Sequence, residues 1–82
     1  MTVTVYSKPD CVQCNYTKVH LDRNHVHYSV IDVTQDSEAR KMLEDKGFIP
    51  GTMPVVKVDH GKQIEWWQGF KIEKIRGLNV NS

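Results

Sequence analysis

The two cysteines of the chain, Cys11 and Cys14, stand three positions apart between a strand pattern and a helix pattern. Met1 to Tyr6 alternates threonine with valine, which predicts a strand, and Ser7 to Asp10 supplies turn residues. Cysteines at this spacing on the first turn of a helix share one face and can bridge each other. Because a bridge that closes so short a loop stabilises a fold little, the pair predicts redox chemistry or metal binding.

The rest of the chain alternates helix and strand patterns. A helix capped by Asp10 or Cys11 carries Val12, Tyr16 and Val19 at helical spacing, with Leu21 on a neighbouring stripe, and ends near Asn24 and His25. The later predicted elements are a strand at Val26–Val33, a helix capped by Asp36 and ended by Gly47, a hairpin of Val55–Val58 and Gln63–Trp67, and a short helix with Ile72 and Ile75, ended by Gly77. This β-α-β-α-β-β-α order predicts an α/β thioredoxin fold, with a four-stranded mixed sheet flanked by three helices. We expect a single domain over residues 1–82.

Charge and hydropathy exclude several classes of partner. The formal net charge is +1, so no basic excess is available to neutralise a nucleic-acid backbone. No apolar run approaches the roughly 20 residues that a membrane span needs. The first residues lack the features of a secretory signal, so we expect a cytoplasmic protein. We also expect that it is a monomer and that it binds neither nucleic acid nor membrane.

The position of each cysteine suggests a separate role. Cys11 lies at the positive end of the helix dipole, where backbone N–H groups favour its thiolate form, so we predict that Cys11 is the nucleophile. Cys14 lies a turn deeper and suits the resolving role, in which it attacks the mixed disulfide. Lys8 would help to stabilise the Cys11 thiolate, whereas Asp10 would oppose it.

Met53-Pro54 precedes the Val55 strand. Base rates for X-Pro bonds favour an ordinary trans proline, but the predicted fold keeps a cis peptide bond beside its redox helix, so we expect a cis bond here. The residue before the proline would then present its backbone to an extended peptide. The adjacent Trp66 and Trp67 point to opposite faces of their strand, so one should be core and the other partly exposed.

Several motifs resemble those of the NrdH-redoxin family, over nearly the whole chain. Cys11-Val12-Gln13-Cys14 has the form typical of that family, and Met53-Pro54-Val55-Val56 falls in register. The segment from Trp67 to Glu73 is similar to the family motif Trp-Ser-Gly-Phe-Arg-Pro-Asp/Glu, from which Gln68, Lys71 and Ile72 depart. That motif ties the last helix to the proline loop in the family, so these departures should change the local geometry.

The resemblance implies a dithiol–disulfide oxidoreductase with no bound cofactor, reduced by thioredoxin reductase and serving the large subunit of a class Ib ribonucleotide reductase. We predict that its substrate- and partner-binding residues are Lys8, Val12, Gln13, Thr52, Met53, Pro54, Trp67, Gly69, Phe70 and Lys71. A glutathione-dependent glutaredoxin is the alternative within the same class, because Lys8 and Thr52 to Pro54 are similar to glutathione-contacting positions. A zinc-binding or regulatory thiol module is the alternative outside it, although none of the four histidines has zinc-finger spacing.

Overall fold

The computed structural model describes residues 1–78, and its element order is the predicted one. The strands are β1 (Thr2–Ser7), β2 (Ser29–Asp32), β3 (Val55–Asp59) and β4 (Ile64–Gln68), and the helices are α1 (Val12–Arg23), α2 (Ser37–Asp45) and α3 (Ile72–Arg76). The predicted α/β thioredoxin fold is therefore confirmed.

The four strands form one mixed sheet in the order β2-β1-β3-β4. The β1 and β2 strands run parallel from the pair Thr4 and Ser29, whereas β3 lies antiparallel to both β1 and β4. This order places the carboxyl end of β1, which leads to the cysteines, beside the start of β3, which follows Pro54.

The sheet is covered on both faces, and alternating side chains divide the core into two clusters. The first cluster joins valines of β1 and β3 to Leu21 of α1 and Ile75 of α3. The second joins Tyr6 and Val55 to Ala39 and Leu43 of α2, and it includes both cysteines. As predicted, the two tryptophans divide between the faces: Trp67 is in the first cluster and the partly exposed Trp66 packs against the second.

Local hydrogen bonds fix both ends of α2. The Asp36 carboxylate accepts a hydrogen bond from the Ala39 amide at 3.0 Å and so caps α2, as predicted. At its other end, Gly47 has φ of 91°, a left-handed conformation that glycine adopts without steric cost. The Phe48 amide then donates to the Leu43 carbonyl and ends the helix.

The predicted strand over Val26–Val33 is wrong at its start, since β2 begins only at Ser29. His25 has a left-handed φ of 58° after the end of α1, and the Val26 amide donates to the Leu21 carbonyl at 2.9 Å. This helix-ending motif uses the Val26 amide, and the Val26 side chain packs in the core below α1. Residues 26–28 are therefore a connection rather than part of the sheet.

The apolar stripe that predicts α1 is not the face that the helix buries. Cys14, Thr17 and Leu21 are buried, whereas Val12, Tyr16 and Val19 are among the exposed hydrophobic side chains. The Thr17 side chain is buried, and its hydroxyl group is satisfied because it donates a hydrogen bond to the Gln13 carbonyl at 2.8 Å.

Candidate functional site

Cys11 and Cys14 meet at the start of α1, where they form a disulfide with a Cα–Cα distance of 5.2 Å. Cys11 is the residue that caps α1, and its sulfur accepts a hydrogen bond from the Cys14 amide at 3.2 Å. No acidic residue occurs in the first turn of this helix. The helix dipole and the amide therefore both favour negative charge on the Cys11 sulfur once the disulfide is reduced.

The two cysteine residues differ in exposure in the predicted order. Cys11 is 7% exposed and Cys14 is 0% exposed, so Cys11 is the less buried of the pair.

The segment before β3 lies directly beside Cys11. The Met53–Pro54 peptide bond is cis, as the sequence predicts. The Met53 carbonyl oxygen lies 3.5 Å from Cys11 Sγ, and the Pro54 carbonyl accepts a hydrogen bond from the Gly69 amide at 2.7 Å. The backbone of Met53 thus borders the Cys11 sulfur.

Two side chains fasten the loop from Ile49 to Thr52, which leads into the Met53–Pro54 bond. Lys8 donates to the Gly51 carbonyl at 2.6 Å. Gln68 accepts from the Ile49 amide at 3.2 Å and donates to the carbonyls of Ile49 and Thr52, at 2.9 and 3.0 Å. Gln68, which stands where the family motif has serine, therefore hydrogen-bonds directly to the proline loop.

Gln13, between the two cysteines, joins α1 to the segment after β4. Its side-chain oxygen accepts a hydrogen bond from the Phe70 amide at 3.0 Å. Gly69 has φ of 88°, and a Cβ there would stand 3.3 Å from this same oxygen. The backbone conformation at this position favours glycine, and a side chain there would also crowd the Gln13 side-chain oxygen.

The predicted binding residues differ in accessibility. Val12, Gln13, Thr52 and Lys71 are exposed, and Lys8, Gly69 and Phe70 are partly so. Met53, Pro54 and Trp67 are buried; Met53 borders the site through its backbone, whereas Trp67 packs in the core and is not presented at the surface. The clamp made by Gln68 was not predicted, because its partners are backbone groups 16 and 19 positions away in sequence.

A cavity of about 470 Å³ opens beside the site, between α2 and the loop before Met53. Leu43, Phe48, Ile49 and Met53 give it apolar walls, and Lys8 and Arg40 also line it. On the same face of the sheet, burial raises the pKa of the Tyr6 hydroxyl, and the Asp36 carboxylate raises it further. Tyr6 is therefore uncharged near neutral pH and acts as a packing group there.

Within residues 1–78, no group of three or more histidine, cysteine, aspartate or glutamate side chains is arranged to hold a metal ion. In the same part of the chain, no helix has both the length and the apolar character that crossing a membrane requires.

Comparison with known proteins places these features in a family. The glutaredoxin family model matches residues 3–62. The glutaredoxin-like protein NrdH of Escherichia coli (strain K12) is 32% identical over 79 residues, covering 96% of this chain and 90% of the relative.

Two solved structures have the same fold. The NrdH-redoxin from Escherichia coli, described as a glutaredoxin-like protein with a thioredoxin-like activity profile, superposes with a TM-score of 0.86 at 32% identity, covering 96% of each chain. A glutaredoxin from Archaeoglobus fulgidus gives a TM-score of 0.64 at 30% identity, covering 93% of this chain and 83% of that one. Of these two, the structure is more similar to the NrdH-redoxin.

Proposed function

The chain belongs to the glutaredoxin family, whose members are thiol–disulfide oxidoreductases that carry electrons, and on that basis we propose that it reduces protein disulfides through Cys11 and Cys14. The observation that carries this proposal is the cysteine pair itself. Its accessible member caps α1 and accepts a backbone hydrogen bond, and its buried member lies within disulfide reach.

The reaction proceeds in two exchanges. The Cys11 thiolate attacks one sulfur of the substrate disulfide, so a Cys11–substrate bond forms, the substrate S–S bond breaks, and the departing thiolate takes a proton from water. Cys14 then loses its proton and attacks Cys11 Sγ. This step forms the Cys11–Cys14 disulfide and breaks the Cys11–substrate bond, and the second substrate sulfur leaves as a thiolate that takes a proton from water. Two electrons have passed from the cysteine pair to the substrate.

The backbone around Cys11 orients the substrate for the first exchange. An extended peptide laid along Met53 would bring its sulfur close to Cys11, because the Met53 carbonyl lies 3.5 Å from Cys11 Sγ. Lys8 and Gln68 hold the preceding loop from two sides, so this platform is already formed before the substrate arrives.

The oxidised pair must then regain two electrons. We assign this step to a thioredoxin reductase, and we assign delivery to the large subunit of a class Ib ribonucleotide reductase. Support comes from the similarity to the NrdH proteins and from the thioredoxin-like activity profile ascribed to the Escherichia coli NrdH-redoxin. Such electron transfer would place the protein in the cytoplasm.

A glutathione-dependent glutaredoxin is the second candidate, favoured by the cavity that Lys8 and Met53 line beside the cysteines. Against it, Lys8 already donates to the Gly51 carbonyl. Glutaredoxins bind glutathione in part through a Gly-Gly and acidic pair, and residues 68–72 of this chain, which stand in that region, contain no acidic residue.

Parallel turnover assays separate the two candidates. One contains NADPH and thioredoxin reductase, and the other contains NADPH, glutathione reductase and glutathione, each with insulin as the disulfide substrate. We expect turnover with thioredoxin reductase alone. Turnover only with glutathione would reject the assigned electron donor, and failure of the chemically reduced protein to reduce insulin would reject the oxidoreductase function.

A further inference from the structure

An exposed apolar surface begins at the residue after the reactive cysteine and continues along α1. Val12, Tyr16 and Val19 are 63%, 55% and 42% exposed, and their spacing puts them on one side of the helix. We call these three residues the α1 outer stripe. Because α1 buries its opposite face, the packing of this fold does not account for three apolar side chains in solvent.

Phe70 joins the α1 outer stripe to the proline loop. Its ring lies 5.9 Å from the Tyr16 ring and 5.3 Å from the His20 ring, measured between centroids. The Phe70 amide is bound by Gln13, and the preceding Gly69 amide is bound by the Pro54 carbonyl. The aromatic surface is therefore held in place and runs on from the backbone beside Cys11.

The far end of the stripe carries positive charge. Arg23 follows Val19 by four positions, so it continues the same side of α1, and it is exposed. The one acidic residue of this helix, Asp22, lies about a quarter turn away and accepts a hydrogen bond from the Tyr28 hydroxyl at 3.4 Å. Going along α1 away from Cys11, a partner therefore meets apolar side chains and then the positive charge of Arg23. A partner segment with apolar side chains followed by an acidic one would complement this surface.

We propose that the α1 outer stripe, together with Phe70, is the docking surface for the protein substrate. The segment it fits has apolar side chains beyond its reactive cysteine and then a carboxylate that faces Arg23. This inference rests on the proposed function, because the exchange at Cys11 brings a substrate against the neighbouring Val12. The distance from Val12 to Val19 is about 10 Å at the helical rise per residue, so a small disulfide that reacts at Cys11 does not reach Val19.

The test measures single-turnover oxidation of the pre-reduced protein, which needs no reductase. Three disulfides serve as probes: dithiobis(nitrobenzoate), and two synthetic peptides that share one disulfide ring. One peptide carries a leucine, a phenylalanine and a glutamate beyond the ring, and the other carries two serines and a lysine at the same places. The variants are Tyr16→Gln with Val19→Gln, and as a control Ile64→Gln, which replaces a side chain 53% exposed at the opposite end of the sheet.

We expect wild type to react about tenfold faster with the apolar, acidic peptide than with the serine and lysine peptide, a typical effect of a contact surface with a few dominant residues. The double variant should lose most of this preference and keep only the part that Arg23 adds by attracting the glutamate, while its rate with dithiobis(nitrobenzoate) stays unchanged. The Ile64→Gln control should keep both rates.

Equal preference in wild type and double variant would overturn the docking surface, as would a loss of rate that is the same for peptide and small disulfide. A concentration-dependent dimer that Tyr16→Gln with Val19→Gln dissociates would overturn it in favour of a second copy of this chain. Failure of wild type to react with any of the three disulfides would instead reject the proposed function.

Discussion

The side chain of Gln68 fastens the proline loop, and its removal gives a measurable loss of stability. Gln68→Ala deletes three hydrogen bonds, two with the backbone of Ile49 and one with that of Thr52. All three are exposed, so water replaces the lost partner, and each bond counts at the lower end of the net range, about 0.5 kcal/mol. The free energy of unfolding should therefore fall by about 1.5 kcal/mol. For a domain of this size, that lowers the melting temperature by about 6–12 °C.

Urea denaturation of the reduced protein measures this change, with the slope of the transition checked for two-state behaviour. Gln63→Ala is the matched control, because it removes the same atoms from an exposed side chain with no hydrogen bond among the described residues. We expect the control to stay within about 0.5 kcal/mol of wild type, as is usual for surface substitutions. If Gln68→Ala falls within that range too, the clamp does not hold the loop and the reasoning is refuted.

Two further predictions concern other parts of the fold. Asp36→Ala removes the cap of α2 and should cost about 1 kcal/mol in urea denaturation; a loss no larger than that of Glu38→Gln, a change at an exposed position in the same turn, would contradict the role of the 3.0 Å hydrogen bond to the Ala39 amide. Hydrogen bonding by Lys74 lowers the pKa of the Glu65 carboxyl below its ordinary value of 4.5, so the stability that this contact adds is present above pH 4.5 and is lost as the pH falls through the lowered pKa. Wild type should therefore be more stable than Lys74→Met at neutral pH, and the difference should shrink in acid; a difference independent of pH would contradict the assignment.

The order of the elements was predictable because the residues that end the helices and strands act locally. Gly47 ends α2 and the Met53-Pro54 pair excludes regular structure before β3, so the order of elements follows from single residues and short patterns. The start of β2 was not predictable from the valines and isoleucine between Val26 and Val33. The motif that ends α1 uses the Val26 amide as a donor to the Leu21 carbonyl, so that amide is not free to join the sheet. The motif depends on a left-handed backbone at His25, a residue other than glycine.

The site was predictable only in part. The spacing of the two cysteines identifies the redox pair, and a proline at the start of the strand beside that pair indicates the cis peptide bond. Both features can be read from the sequence because each depends on a particular residue type. The burial of α1 was harder to predict, because its inner face uses Cys14 and Thr17 while valine and tyrosine face solvent. Contacts such as that of Gln13 with Phe70 join residues 57 positions apart, and only the folded chain brings them together.

The separate roles of Cys11 and Cys14 are the central claim, and trapping the mixed disulfide tests them most directly. Reduced Cys14→Ser and Cys11→Ser proteins are each incubated with a disulfide peptide, and intact mass spectrometry measures the adduct. We predict that Cys14→Ser accumulates a mixed disulfide at Cys11, because no second thiol releases it. The Cys11→Ser variant should form almost none, because its remaining sulfur is fully buried. Equal adduct in both variants, or adduct at Cys14 alone, would contradict the account.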